Sequence, residues 1–127
     1  MSKHGMVHWS ELMTRDLEAA KTYYTSICGW QIDEVPMPDG NMYYLGMKDD
    51  VPMAGMMQMD GPQFEGTPPH WMTYLAVNDV DAAVQHTKDA GGEVLQDSFD
   101  VGGVGRIAIL KDPTGAVIGF MTPEDNS

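Results

Sequence analysis

The residue of this chain with the clearest chemical potential lies in its first apolar segment. Residues 6–14 alternate as in a β-strand, which places Trp9, Glu11 and Met13 on one face and the intervening side chains on the other. A carboxylate facing a cavity lined by such indole and thioether side chains would be partly desolvated, and Glu11 would then be a candidate general base or ligand anchor. The alternative is that Glu11 forms a structural pair across the sheets or with a partner chain.

Other side chains capable of chemistry do not form a recognisable group. The four histidines are scattered, without the spacing of a metal site, and are interpreted as surface or packing residues. They are His4, His8, His70 and His86. Cys28 has no partner for an internal disulfide and is interpreted as a packing residue in the last turn of a helix. The glycine-rich segment 102–105 lacks the Lys that follows in a phosphate-binding loop, and it predicts a flexible hairpin or a lid.

Composition limits the class of partner. The chain has 127 residues with seven Lys and Arg against nineteen Asp and Glu, a formal net charge of −12. This charge repels phosphate backbones and anionic lipid surfaces, which argues against nucleic acid and membranes as partners. No stretch approaches the roughly twenty apolar residues that cross a bilayer, and no cationic and then apolar leader is present. We therefore expect a cytoplasmic protein with one domain over residues 1–127.

An internal repeat indicates the elements that position these residues. Asp16 and Asp79 each open a similar Asp-x-x-Ala-Ala segment, 63 residues apart, and the same offset relates Gly29 to Gly92. Each copy reads as an apolar strand, a helix capped by Asp, a glycine stop and further strands. The sequence predicts an α+β fold of two tandem βαβββ modules.

The predicted modules comprise residues 6–59 and 70–121, joined by a connector at 60–69 that is rich in Gly and Pro. A turn is predicted at residues 36–41 of the first module. Because one βαβββ module exposes a face of its sheet, the two modules must share that surface with each other or with another chain. We expect a ligand in the cup between the sheets.

Several motifs extend over nearly the whole chain. They are residues 16–24 with Gly29-Trp30, residues 77–80 with Gly91-Gly92, and Asp112-Pro113-Thr114-Gly115 before the last strand. In these motifs the chain resembles the vicinal oxygen chelate superfamily of glyoxalases, bleomycin and fosfomycin resistance proteins and extradiol dioxygenases. Residues 9–14 are similar to the opening of a branch described only as glyoxalase-like. The resemblance implies a cupped sheet and, commonly, a homodimer, but it does not name a reaction.

The resemblance also implies where a metal ion would be held, by one side chain from the first and one from the last strand of each module. These positions fall on Trp9, Met56, Met72 and Gly119. Indole and glycine offer no lone pair to a metal, and thioether sulfur is soft, so none of them suits a hard divalent ion. We therefore expect no metal and no other cofactor.

The resemblance places one face of each first strand in the cup. The residues then expected to bind a ligand are Trp9, Met13, Met56, Met72 and Gly119, with an apolar floor formed by the first indole and the thioethers of Met56 and Met72. Tyr74 lies 63 residues after Glu11 and is its repeat partner, so its hydroxyl could donate to a ligand oxygen or hold Glu11 in place. A cup filled by its own side chains is the alternative.

Three functions remain open at this point. The first is a bleomycin-resistance-like module that binds a small, partly apolar organic molecule without metal. The second is a metal-free lyase or isomerase that uses Glu11 as base while Tyr74 polarises a carbonyl. The third is a metal-dependent lyase of the glyoxalase type, which the substituted ligand positions disfavour.

Overall fold

The computed structural model of the chain describes residues 3–37, 40, 42–101 and 104–124, and these fall into two compact units. The first unit is Trp9–Trp71, and the second comprises the described residues before Trp9 and after Trp71. Among these residues, each unit contains one α-helix and four β-strands. This confirms the predicted α+β fold with two βαβββ modules.

The first unit follows the predicted order of elements. The elements are β1 (Val7–Thr14), α1 (Leu17–Cys28), β2 (Gln31–Pro36), β3 (Met42–Lys48) and β4 (Val51–Gln58). Strand β1 belongs to this unit from Trp9 onward. The strands lie in the order β2-β3-β4-β1, with β1 parallel to β4 and the other pairs antiparallel. The connector contains a short 3-10 helix at Pro62–Phe64.

Helix α1 begins and ends where its sequence indicates. The Asp16 carboxylate accepts from the backbone N–H of Ala19 at 3.1 Å, and Gly29 ends the helix in the left-handed region with a φ of 71°. Its apolar residues cover one face of the sheet, where Leu12, Leu17 and Met56 form a buried core. We call this face the helix side of the first sheet and the opposite face the far side.

The buried face of α1 stops before its last turn. Ile27 is 68% exposed and Cys28 is also exposed, so the interpretation of Cys28 as a packing residue is wrong. The core around Leu17 takes in Ala20 and Tyr24 but no residue of the last turn. The helix therefore extends beyond the part of the sheet that it covers.

The second unit repeats this plan. Its elements are β5 (His70–Ala76, from Met72 on), α2 (Val80–Asp89), β6 (Glu93–Val101), β7 (Gly105–Lys111) and β8 (Val117–Pro123), with the strands in the order β5-β8-β7-β6. The Asp79 carboxylate caps α2 by accepting from the N–H groups of Asp81 and Ala82 at 3.0 and 3.2 Å. Val80 and Val84 of the helix pack against Ala108 and Leu110 of β7.

Two predicted segments, the turn at 36–41 and the glycine-rich stretch 102–105, lie partly outside the described residues. Within the part of the chain that the structure describes, neither helix is long and apolar enough to span a bilayer.

Candidate functional site

The far side of the first sheet carries Glu11. In the register of the sheet, Glu11 of β1 is the partner of Gly55 on β4, and Gly55 is in turn the partner of Leu45 on β3. Alternation along β1 places Trp9 and Met13 on the same side as Glu11. Glu11 is buried, with 7% of its surface exposed, whereas Trp9 and Met13 are half-buried. A buried carboxylate is thus surrounded by side chains that remain partly accessible.

Glu11 is joined to two aromatic residues through hydrogen bonds. The indole N–H of Trp9 donates to the Tyr43 hydroxyl at 2.9 Å, and the same hydroxyl is hydrogen-bonded to the Glu11 carboxylate. Because an indole nitrogen can only donate, the Tyr43 oxygen accepts from Trp9 and its own proton is directed to Glu11. We call this arrangement the Trp9–Tyr43–Glu11 triad.

The environment keeps the Tyr43 hydroxyl protonated. Burial raises the pKa of the Tyr43 phenol well above its ordinary value, and the negative charge of Glu11 raises it further. The Trp9 N–H opposes this shift, and the hydrogen bond to Glu11 supports it. The phenol therefore keeps its proton at physiological pH, so the direction of the hydrogen bonds in the triad is fixed there.

Gly55 provides the space in which Tyr43 lies. A Cβ atom built at Gly55 would overlap the hydroxyl oxygen and Cζ of Tyr43. The phenol of β3 thus crosses β4 directly over Gly55 and reaches Trp9 and Glu11 on β1. Glycine inside a strand often marks such a close approach, and a residue with a side chain would exclude the ring.

The second unit also seats an aromatic ring over a glycine. Tyr74 of β5 is the partner of Gly119 on β8, and a Cβ atom at Gly119 would overlap the Tyr74 ring. Tyr74 and Met72 are both buried at 8% exposure, and alternation places them on the same face of β5. The Tyr74 ring thus covers Gly119. The predicted approach of Tyr74 to Glu11 would join the two units and stays a prediction.

Met56 does not share a face with Trp9, so the prediction that it forms part of an apolar floor with Trp9 is wrong. It is fully buried on the helix side, packed with Leu12 and Leu17. The residue of β4 opposite Glu11 is Gly55. The prediction used one offset of 63 residues for the whole repeat, and the last strands differ from it by one residue. Glu11 and Tyr74 are 63 positions apart, whereas their strand partners Gly55 and Gly119 are 64 apart.

Tyr43 and Gly55 were not among the residues predicted from the sequence. A lone glycine in the apolar strand β4 was a usable signal for a close approach. Alternation in β3 was a second signal, since it sends Tyr43 and Tyr44 to opposite faces. Tyr44 packs on the helix side, where the Lys21 Nζ lies 4.5 Å from its ring centroid.

Other residues take part in contacts within their own units. His4 accepts from the backbone N–H of Asn78 at 2.9 Å, and His70 Nδ1 lies 2.9 Å from the Pro68 carbonyl. Arg106 of β7 contacts Asp81 of α2 at 3.1 Å and so lies on the face of its strand that α2 covers.

The donor set of the described residues does not fit a metal ion. Among them, no group of three or more His, Cys, Asp or Glu side chains is placed to hold one. At the positions that the resemblance assigns to metal ligands, Trp9 donates its N–H to Tyr43, and Met56 lies in the helix-side core. Neither side chain presents a lone pair suited to a hard divalent ion.

Comparison with known proteins gives a match over most of the chain. The sequence model of the family described as Glyoxalase/Bleomycin resistance protein/Dioxygenase superfamily matches residues 6–120. The chain is 41% identical over 119 residues to "Putative glyoxylase CFP32" of Mycobacterium tuberculosis, covering 93% of this chain and 46% of that protein. It is 32% identical over 123 residues to "Anthracycline biosynthesis protein DnrV" of Streptomyces peucetius, covering 88% and 45%. The chain thus spans about half the length of the curated relatives it matches.

Solved structures share the fold at low sequence identity. A hypothetical protein, BH1468 from Bacillus halodurans C-125, superposes with a TM-score of 0.71 at 10% identity, over 97% of both chains. Methylmalonyl-CoA epimerase from Mycobacterium tuberculosis gives a TM-score of 0.66 at 18% identity, over 98% of this chain and 92% of that one. At these identities the likeness concerns the fold alone.

Proposed function

Because the chain belongs to the Glyoxalase/Bleomycin resistance protein/Dioxygenase superfamily, we propose that it is a binding module for a small, partly apolar organic molecule, held without a metal ion. The observation that carries this proposal is the Trp9–Tyr43–Glu11 triad. It fixes one buried carboxylate on a sheet face whose neighbouring side chains are half-buried. Such a combination of one oriented polar group and apolar surroundings is typical of small-molecule sites.

The surroundings of the triad supply the apolar part of the proposed site. Register and alternation place Leu45 of β3 and Met57 of β4 on the far side with Met13 of β1, and all three are half-buried. Thioether and indole side chains adapt to apolar bodies of varied shape. A relative named for anthracycline biosynthesis is consistent with a partly apolar organic ligand.

A second candidate function is a metal-free lyase or isomerase with Glu11 as base. The observation that favours it is the buried position of Glu11 next to a phenol that stays protonated. A carboxylate held in this way can take a proton from a bound carbon acid. A turnover screen against small carbonyl compounds separates this candidate from binding alone. The metal-dependent lyase ranks last because the donor set does not suit it.

The proposal is tested by a ligand-screening melt with metabolites and natural-product antibiotics, followed by variants of the triad. Glu11→Gln nearly preserves volume and hydrogen-bonding capacity, so it should fold. Loss of the charge should weaken the binding of the ligand found in this screen. The expected loss of binding free energy is at least ~1.4 kcal/mol, about tenfold in affinity. Tyr43→Phe should weaken it as well, because Glu11 loses the hydroxyl that orients it.

Tyr44→Phe is the matched control, since Tyr44 is the adjacent residue and lies on the helix side. It should leave the affinity unchanged. If Glu11→Gln lowers the melting temperature but binds the ligand as tightly as the wild type, Glu11 is structural and the proposal fails.

A further inference from the structure

We infer that the triad selects ligands that donate a hydrogen bond, so that the ligand is a neutral or cationic molecule with a hydroxyl or amine group on an apolar body. This inference rests on the proposed function and deepens it by naming the class of ligand. Molecules whose polar end is a carboxylate or a phosphate fall outside this class.

The hydrogen bonds within the triad use its donors. The Trp9 N–H is directed to Tyr43 at 2.9 Å, and the Tyr43 O–H is directed to Glu11. What the triad presents to a third molecule is therefore its acceptor end, the Glu11 carboxylate. A carboxylate has about four acceptor positions, so it can take a donor from a ligand in addition to the partners it has within the protein.

The geometry also keeps the hydrogen bonds of the triad in this direction. Tyr43 lies in the space over Gly55, where a side chain would overlap its hydroxyl. To donate to a ligand oxygen instead, the phenol would have to give up its bond to a buried carboxylate, which is costly. The Trp9 nitrogen cannot accept, and its N–H is already directed to the Tyr43 oxygen. The triad thus offers an acceptor and withholds its donors.

Charge and surroundings restrict the ligand further. The formal net charge of −12 disfavours the approach of anions. A hydroxyl or ammonium that donates to a carboxylate forms a charge-assisted bond, which is stronger than a neutral one. Next to Glu11, the half-buried side chains of Met13, Leu45 and Met57 leave an apolar surface for the rest of the molecule.

The test compares three probes built on one ring system, measured by isothermal titration calorimetry at pH 7 with the full chain. The probes are 2-naphthol, which donates a hydrogen bond, 2-methoxynaphthalene, which only accepts, and 2-naphthoate, which is an anion. We expect 2-naphthol to bind at least about fivefold more tightly than 2-methoxynaphthalene, the value of one ordinary hydrogen bond. 2-Naphthoate should be the weakest of the three.

Variants test whether the preference comes from the triad. Tyr43→Phe releases the Trp9 N–H as a donor, so binding of 2-methoxynaphthalene should strengthen relative to 2-naphthol. Glu11→Gln should reduce the preference to below about twofold, because the charge-assisted bond is lost and the new amide NH2 group can donate to the methoxy oxygen. Tyr44→Phe should keep the wild-type ratio. If Glu11→Gln does not fold, the wild-type and Tyr43→Phe ratios still decide the question.

The outcomes separate the two proposals. Equal affinity for 2-naphthol and 2-methoxynaphthalene, or tighter binding of 2-naphthoate, overturns the inference and leaves the proposed function standing. Absence of saturable binding for all three probes to the folded protein contradicts the proposed function and this inference with it.

Discussion

At the scale of single residues, three glycines make room for three aromatic rings. A Cβ atom at Gly46 would overlap the Trp30 ring, as one at Gly55 would overlap Tyr43 and one at Gly119 would overlap Tyr74. Glycine in a strand costs conformational entropy, so its presence at these positions needs a compensating contact. At Gly55 that contact delivers a phenol hydroxyl to a buried carboxylate. The missing side chain is thus as much a part of the proposed site as Glu11.

The substitution Gly55→Ala should destabilise the protein by about 1–3 kcal/mol, the usual cost of forcing a methyl group into an occupied space. The added Cβ would expel Tyr43 and break the triad. Urea unfolding measures the change. Tyr43→Leu in the Gly55→Ala background should recover part of the loss, because the overlapping ring is gone. Purely additive single and double variants would show that Gly55 and Tyr43 are not coupled.

At the scale of elements, the helices could be predicted well and the pairing of the last strands could not. The caps at Asp16 and Asp79 are local signals, since an aspartate before an apolar periodic run binds free N–H groups within the next turn. The face of Met56 depends instead on how β4 aligns with β1. A shift of one residue there turns every side chain to the opposite face, so the predicted site included Met56 and missed Gly55 and Tyr43.

Asp81 links helix α2 to its sheet through a hydrogen bond with Ser98 and an ion pair with Arg106. The Ser98 hydroxyl and the Arg106 guanidinium hold the pKa of the Asp81 carboxyl below its usual range, and Arg106 also contacts Asp100 at 3.0 Å. Because the folded-state pKa is lowered, the stabilisation by Asp81 is present above the unfolded-state value of about 3.9 and is lost as pH falls through the folded-state value.

Asp81→Asn should therefore lower the free energy of unfolding at pH 6, and the difference from wild type should shrink below about pH 4. Urea unfolding at several pH values between 6 and 2.5 provides the measurement. Asp60→Asn, at an exposed position just after β4, removes one carboxylate without these contacts and serves as the control. A difference for Asp81→Asn that stays constant down to pH 2.5 would rule out this role of the ion pair.

At the scale of the whole molecule, the acidic charge sets the conditions for assembly. We expect a homodimer, since cyclic dimers are the commonest closed oligomers. Two copies that each carry a charge of −12 repel one another, and salt screens that repulsion. Light scattering at micromolar concentration should therefore find a dimer whose fraction rises between low and physiological ionic strength. A monomer under all of these conditions would contradict the expectation.

The last prediction concerns metal binding by the whole protein. We expect the chain to purify without stoichiometric transition metal and to keep its melting temperature in the presence of chelators. A bound ion stabilises a protein in proportion to its affinity and concentration. The positions that the family resemblance assigns to ligands hold an indole whose N–H is directed to Tyr43, a thioether in the helix-side core, a second buried thioether at Met72 and a glycine under the Tyr74 ring. Elemental analysis after dialysis checks this directly, with a melt in nickel or zinc as the companion measurement. One ion retained per chain, or a melting temperature that rises with added metal and falls again with chelator, would show that ligands outside these positions form a site and would restore the metal-dependent lyase as the leading candidate.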